Sequence, residues 1–192
     1  MDQDEEALLS QLATDLDCHF GHLVLLYQQR LYSFALRMVG SPQEAEDIVQ
    51  ETFLRTYHAL KSYPELKVRT LRLRQWLYMI TLNIFRNRQR KSEHRSIPLD
   101  TSEGSSLLEI EDSSWGPEEE AYWHEWRREL EMQLASLAER YRVAVTLYYF
   151  EDLSYAEIAE LLNQPIGTVK AHVHRALRQL QKALDTQTNG VR

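Results

Sequence analysis

The chain has 192 residues, 43% of them hydrophobic, which suffices for one large or two small globular domains. No apolar run approaches the roughly eighteen residues of a membrane-spanning helix. The acidic start (Asp2, Asp4, Glu5, Glu6) is the reverse of a secretory leader's basic segment, so the protein is expected in the cytoplasm.

The net charge of −7 hides a strong segregation. Residues 1–53 hold ten acids and two bases, whereas 54–95 hold two acids and eleven bases. Residues 96–126 hold nine acids and no base, and from 154 onward five bases outnumber three acids. Basic stretches are the electrostatic footprint of phosphate binding, while the acidic remainder weakens non-specific binding by the isolated chain. The lone cysteine, Cys18, excludes an internal disulfide. With His19 and His22 it makes a short cluster, but a structural zinc needs about four ligands and no second cluster exists, so no metal or other cofactor is expected.

Glycine and proline are scarce, 6 and 5 in all, and apolar residues recur at three- and four-residue spacings, which predicts an all-α protein. Ser41-Pro42-Gln43-Glu44 reads as a helix start, with serine as N-cap, proline at the first helical position and glutamate closing a capping box. The helix that follows has an inner face of Ala45, Ile48, Val49, Phe53, Tyr57 and Leu60. Its outer stripe is Asp47, Gln50, Glu51 and Leu54, a leucine exposed among acids.

A basic loop, Ser62 to Arg74, comes next, with Lys67, Arg69, Arg72 and Arg74. Residues 74–91 then predict a helix burying Leu77, Ile80 and Ile84 and aiming Asn83, Arg86, Asn87 and Arg90 along another face. Trp76 and Tyr78 lie within the same stretch. Interleaved bases and aromatics suit single-stranded DNA, where phosphates give affinity and bases stack on rings. Packing in the core is the competing reading for Trp76.

Between 96 and 117 the pattern dissolves into Ser, Gly, Asp and Glu, predicting a flexible acidic linker between two small helical domains at 5–95 and 118–185. Its 22 residues would average about 26 Å end to end and reach about 70 Å when extended.

In the second domain Ser154-Tyr155-Ala156-Glu157 repeats the helix-start chemistry. Tyr155, Ile158, Ala159 and Leu162 face inward, Asn163-Gln164-Pro165 breaks the helix, and a longer helix follows. Ile166, Val169, Val173, Leu177, Leu180 and Leu184 form that helix's expected core stripe. Thr168, Ala171, His172, Arg175, Arg178 and Lys182 occupy the opposite face, flanked by Lys170 and His174. This is the form of a helix-turn-helix whose second helix enters a major groove.

Residues 137–180 resemble region 4 of the extracytoplasmic-function (ECF) sigma factors, of the sigma-70 family, through LSYAEIA, the turn and GTVK. AEDIVQETFLRTY resembles region 2.2 of the same family, and RQWLYMITLNIFRNRQRK resembles regions 2.3 and 2.4. The resemblance implies a protein that is not an enzyme but directs core RNA polymerase to promoter DNA. It implies that Asp47, Gln50, Glu51 and Leu54 dock on the clamp helices of the polymerase. The -10 element would fall to Trp76, Tyr78, Asn83, Arg86, Asn87 and Arg90. The -35 element would fall to Thr168, Lys170, Ala171, His172, His174, Arg175 and Arg178. It also implies an anti-sigma factor, often membrane-anchored, and a connector running through the polymerase channels. Two departures stand out: Ala171-His172 where the family often has Ser-Arg, and the basic loop where a Gly/Ser-containing one is usual.

The chief rival is a dimeric helix-turn-helix regulator, which would bind a two-fold operator unaided. Its first domain would have no use for the acidic stripe followed by a basic, aromatic helix.

Overall fold

The computed structural model describes residues 3–93 and 117–188. These form α1 (Gln3–Thr14), α2 (Leu16–Val39), α3 (Pro42–Ser62), α4 (Glu65–Arg69), α5 (Leu73–Glu93), α6 (Pro117–Ser136), α7 (Glu139–Tyr149), α8 (Tyr155–Leu162) and α9 (Ile166–Thr188), and no strand occurs among the described residues. The chain divides into two compact units between Glu103 and Gly104. Apart from Pro117, where α6 begins, the segment read as a linker lies outside the described residues.

In the first unit, local chemistry sets the helix ends. Asp15 caps α2 by accepting from the Cys18 amide at 3.1 Å, and Gly40, at φ +74°, ends it in a left-handed turn. Ser41 caps α3 by accepting from the Glu44 amide at 3.4 Å, with Pro42 in the first turn. The full reciprocal box forms at α8, between Ser154 and Glu157.

α5 packs against both α2 and α3. It therefore buries two faces: Leu77 and Ile84 as expected, but also Leu73, Tyr78, Leu82 and Phe85, while Ile80 is only half-buried. Tyr78 is fully buried, its ring edge-on to Phe34 with centroids 5.2 Å apart. This corrects the expectation that Tyr78 meets DNA, because no base can reach a ring that sits in the core. Thr52 of α3 and Thr81 of α5 meet inside at 3.3 Å, each also bonded to a carbonyl of its own helix. Pairing offsets the cost of burying these hydroxyls, and small side chains let the two helices approach.

The segment 62–74, read as a loop, contains α4. Arg69 fastens it to α1 by donating to Ser10 Oγ at 2.5 Å while also pairing with Glu65 at 2.7 Å. Glu5 of α1 accepts from the backbone N–H of Arg74 at 3.1 Å, occupying one of the open donors at the start of α5. The Arg69 side chain and the Arg74 backbone thus help to build the unit.

The second unit gathers Leu134, Leu137, Tyr141, Val145, Ala176 and Leu180 around one core, with Leu130 and Phe150 at its edge. Asn163 adopts φ +50° and ends α8, and the Pro165 carbonyl accepts from Thr168 and Val169, so Pro165 stands just before α9 rather than within it. The buried stripe of α9 is Val169, Val173, Ala176 and Leu180. Ile166 and Leu177, expected inside, are exposed, and Leu184 is half-buried. Ala176 takes the central place because its small side chain lets α9 lie close to α7.

Candidate nucleic-acid and polymerase interfaces

α8 and α9 form a helix-turn-helix, and burial of the Val169–Leu180 stripe decides what α9 presents outward. Lys170, Ala171, His174, Arg175 and Arg178 are exposed, as is Lys182, and Thr168 is half-buried. At 100° per residue Ala171, His174 and Arg175 lie within about 60° of Arg178, which marks the middle of the open face.

His172 lies about 120° from Arg178 and turns aside. Its ring stands edge-on to Tyr141 of α7 with centroids 5.5 Å apart, and its Nδ1 is buried with no partner. Burial pushes the imidazole below its ordinary value, and the nearby charges of Arg140 and Arg175 push it the same way, so it is neutral near pH 7. This corrects its placement in the groove: His172 is an interhelical packing residue.

Sequence reasoning missed an aromatic edge beside this face. The rings of Tyr148 and Tyr155 stack 4.3 Å apart, and the Lys170 ammonium sits 5.7 Å from the Tyr155 ring. The pattern of α8 put Tyr155 inside, but it is only half-buried.

On α5 Asn83 and Arg90 are exposed and Arg86 and Asn87 half-buried. Arg90 donates to the Asn87 side-chain oxygen, so these two act as one polar group. Trp76 is half-buried, tilted against Tyr63 at 5.9 Å, and Lys67 lies 3.4 Å above the Tyr63 ring. Trp76 is therefore part of a surface shelf with Tyr63 and Lys67, although Tyr63 carried no signal in the sequence beyond its basic neighbourhood.

On α3 Asp47, Gln50 and Leu54 are exposed, Leu54 by 62%. Glu51 is half-buried and doubly paired, to Arg88 of α5 at 3.0 Å and to Arg55 at 2.5 Å. Arg88 also reaches Asp47, at 3.5 Å from its carboxylate and 3.3 Å from its carbonyl. Burial raises the Glu51 carboxyl, and the bonds from Arg88 and Arg55 outweigh that and hold it below its ordinary value. The stripe is thus a composite of α3 acids and one α5 arginine. Its exposed leucine and polar rim have the makeup of a protein-docking surface.

Among the described residues no three His, Cys, Asp or Glu side chains come together as a metal site, and no helix is long and apolar enough to cross a membrane. A helix-turn-helix with a basic open face lies in one unit, and an exposed leucine among acidic and polar residues lies in the other. Comparison with known proteins makes the class specific. The profile of sigma-70 region 2 matches residues 23–95 and that of sigma-70 region 4 matches 127–180. The chain is 32% identical over 169 residues to the ECF RNA polymerase sigma factor SigW of Bacillus subtilis, covering 86% of this chain and 88% of that one. It is 33% identical over 165 residues to the ECF RNA polymerase sigma-E factor of Escherichia coli, covering 82% of each. The fold is shared with the sigma factor RpoE of Bartonella quintana, solved in complex with the anti-sigma factor NepR, at TM-score 0.67 and 23% identity, covering 86% of this chain and 96% of that one. It is likewise shared with CnrH, solved with the cytosolic domain of CnrY, at TM-score 0.67 and 23% identity over 95% and 97%.

This chain belongs to the ECF RNA polymerase sigma factors. It is a transcription initiation factor that directs core polymerase to promoters, and it is not an enzyme.

Proposed function

We propose how the chain divides that task. In the cytoplasm, the α3 stripe of Asp47, Gln50, Glu51 and Leu54 docks on the polymerase clamp helices. Asn83, Arg86, Asn87 and Arg90 of α5, with the Trp76 shelf, take the single-stranded -10 element. Lys170, Ala171, His174, Arg175 and Arg178 of α9, with Thr168 at the edge, read the -35 element. An anti-sigma factor holds the protein inactive by covering these faces, as NepR and CnrY partner the two sigma factors of like fold.

The observation that carries this reading is Leu54. It is an exposed leucine on a capped helix whose opposite face is buried, and it shares its stripe with Asp47, Gln50 and Glu51. A two-fold operator binder has no use for that stripe. The test is run-off transcription by reconstituted holoenzyme from promoter libraries randomised separately at -10 and at -35. The reading expects Arg178→Ala to shift only the -35 preference and Asn83→Ala only the -10 preference. Exchange of those effects, or tight sequence-specific binding without core polymerase, overturns it.

A further inference from the structure

At the start of α7, Arg140 sits on the surface beside the flank of α9. Its guanidinium lies 4.7 Å from the Tyr141 ring centre and its Nη2 reaches the Tyr141 hydroxyl at 3.3 Å. Arg175 lies on α9 one turn beyond His172, whose ring packs edge-on to Tyr141, and together with Arg140 it holds the Tyr141 hydroxyl below its ordinary value. Two cations therefore flank one phenol, Arg140 in contact with it, and among the described residues no carboxylate pairs with either. Elsewhere the molecule does supply acids to its arginines, as at Arg55, Arg69 and Arg88.

The chemistry of the cluster is one-sided. Both guanidiniums are donors only, and a phenol oxygen that accepts from Arg140 keeps its own O–H to donate. The His172 ring stands edge-on to Tyr141, and its buried Nδ1 has no partner. An assembly of donors with unneutralised charge is complementary to an anion whose oxygens only accept. Arg175 belongs to the face that the -35 reading places on DNA, which sets the neighbouring anion's identity.

We propose that Arg140 and Arg175, with the Tyr141 hydroxyl between them, clamp one phosphodiester of the DNA backbone at the edge of the groove that α9 reads. The inference rests on the -35 assignment and extends the footprint to α7, outside the helix-turn-helix. Phosphate contacts fix register without reading bases, so the clamp orients α9 while Arg178 and its neighbours select sequence. The bound phosphate also offsets the field of the two arginines at His172, which raises the imidazole's titration point in the complex.

The test uses the full chain in holoenzyme with promoter DNA, comparing wild type with Arg140→Ala, Arg140→Lys and Arg178→Ala. Arg140→Ala weakens promoter binding roughly tenfold for every -35 sequence alike. It also lowers the slope of log affinity against log salt by about 0.9, one phosphate's worth. Arg140→Lys restores most of the slope, and thermal unfolding is unchanged in both. Arg178→Ala instead changes the ranking of -35 sequences. If Arg178→Ala leaves that ranking untouched, the -35 assignment itself fails. If that ranking changes but Arg140→Ala leaves the salt slope as in wild type, the clamp is wrong and the assignment stands. Loss of anti-sigma binding with no change in slope likewise overturns the clamp, marking Arg140 as a site for an acidic protein segment.

Discussion

Leu54→Ala separates docking from folding. Full burial of a leucine side chain contributes about 1.5–3 kcal/mol, and Leu54 stands 62% exposed in the free protein. The portion left for a partner to cover is therefore worth about 1–2 kcal/mol, a factor of roughly 5 to 30 in affinity. Removing it leaves the unit intact, because an exposed helical site away from caps and core changes stability by no more than about 0.5 kcal/mol, and alanine is at least as good a helix former. Competition for core polymerase against a labelled wild-type chain measures the first quantity, and thermal unfolding of the same preparation the second. Unchanged affinity would remove α3 from the interface. A loss accompanied by a fall in Tm of many degrees would show that Leu54 supports the fold instead.

Charge reversal in the same stripe behaves differently. Glu51→Lys breaks two half-exposed pairs, each worth about 0.2–1 kcal/mol, and sets three cations together. The variant is expected to lose about 1–2 kcal/mol and several degrees in Tm as well as polymerase binding, and an unchanged Tm would mean that Arg88 and Arg55 do not hold Glu51 in solution. The depressed Glu51 carboxyl contributes stability that is fully present above the ordinary glutamate value of 4.5 and lost as pH falls through its lowered value. Arg88→Ala should therefore flatten the acid limb of the stability curve below about pH 4.5, which acid titration by circular dichroism reads out. Ser154→Ala removes the hydroxyl that accepts from the Glu157 amide at 3.3 Å and bonds its carboxylate at 2.7 Å, costing about 1 kcal/mol in the second unit. Chemical denaturation followed by a fluorophore in that unit checks it.

Helices with one buried face and a polar start were legible in the sequence. α3 announces itself through Ser41-Pro42 and the 3-4 spacing of Ala45, Ile48, Val49 and Phe53, all of which are buried. What escaped is what a single-stripe reading must miss. α5 is packed on two sides, so Tyr78 lies inside although it falls off the Leu77–Ile84 stripe. α4 has no side-chain cap and five residues, too few to show a period. In α9 the true centre is Ala176, which hydrophobicity does not flag. Exchanging Leu177 for Ala176 rotates the buried arc by about 30°, enough to carry His172 from the open face to a packing position against Tyr141. The ion pair of Glu51 with Arg88 spans 37 positions, and no local pattern reports such a contact.

The charge distribution explains why such a protein acts through polymerase. The open face of α9 offers Lys170, Arg175, Arg178 and Lys182, and Arg140 makes five cations at most for phosphate. Five contacts give a salt slope of about −4.5 and non-specific dissociation constants in the range of roughly 10⁻⁴ to 10⁻⁶ M. Against this the whole chain carries a net −7, which repels duplex at a distance. Neither unit alone can outcompete the many non-specific sites of a chromosome. Fixing both to one polymerase turns the second binding event into an intramolecular one, at an effective concentration that multiplies two weak readings. Low intrinsic affinity is then an advantage, because only DNA with both elements is held, and the contacts that keep α9 weak on its own are what make the pair selective.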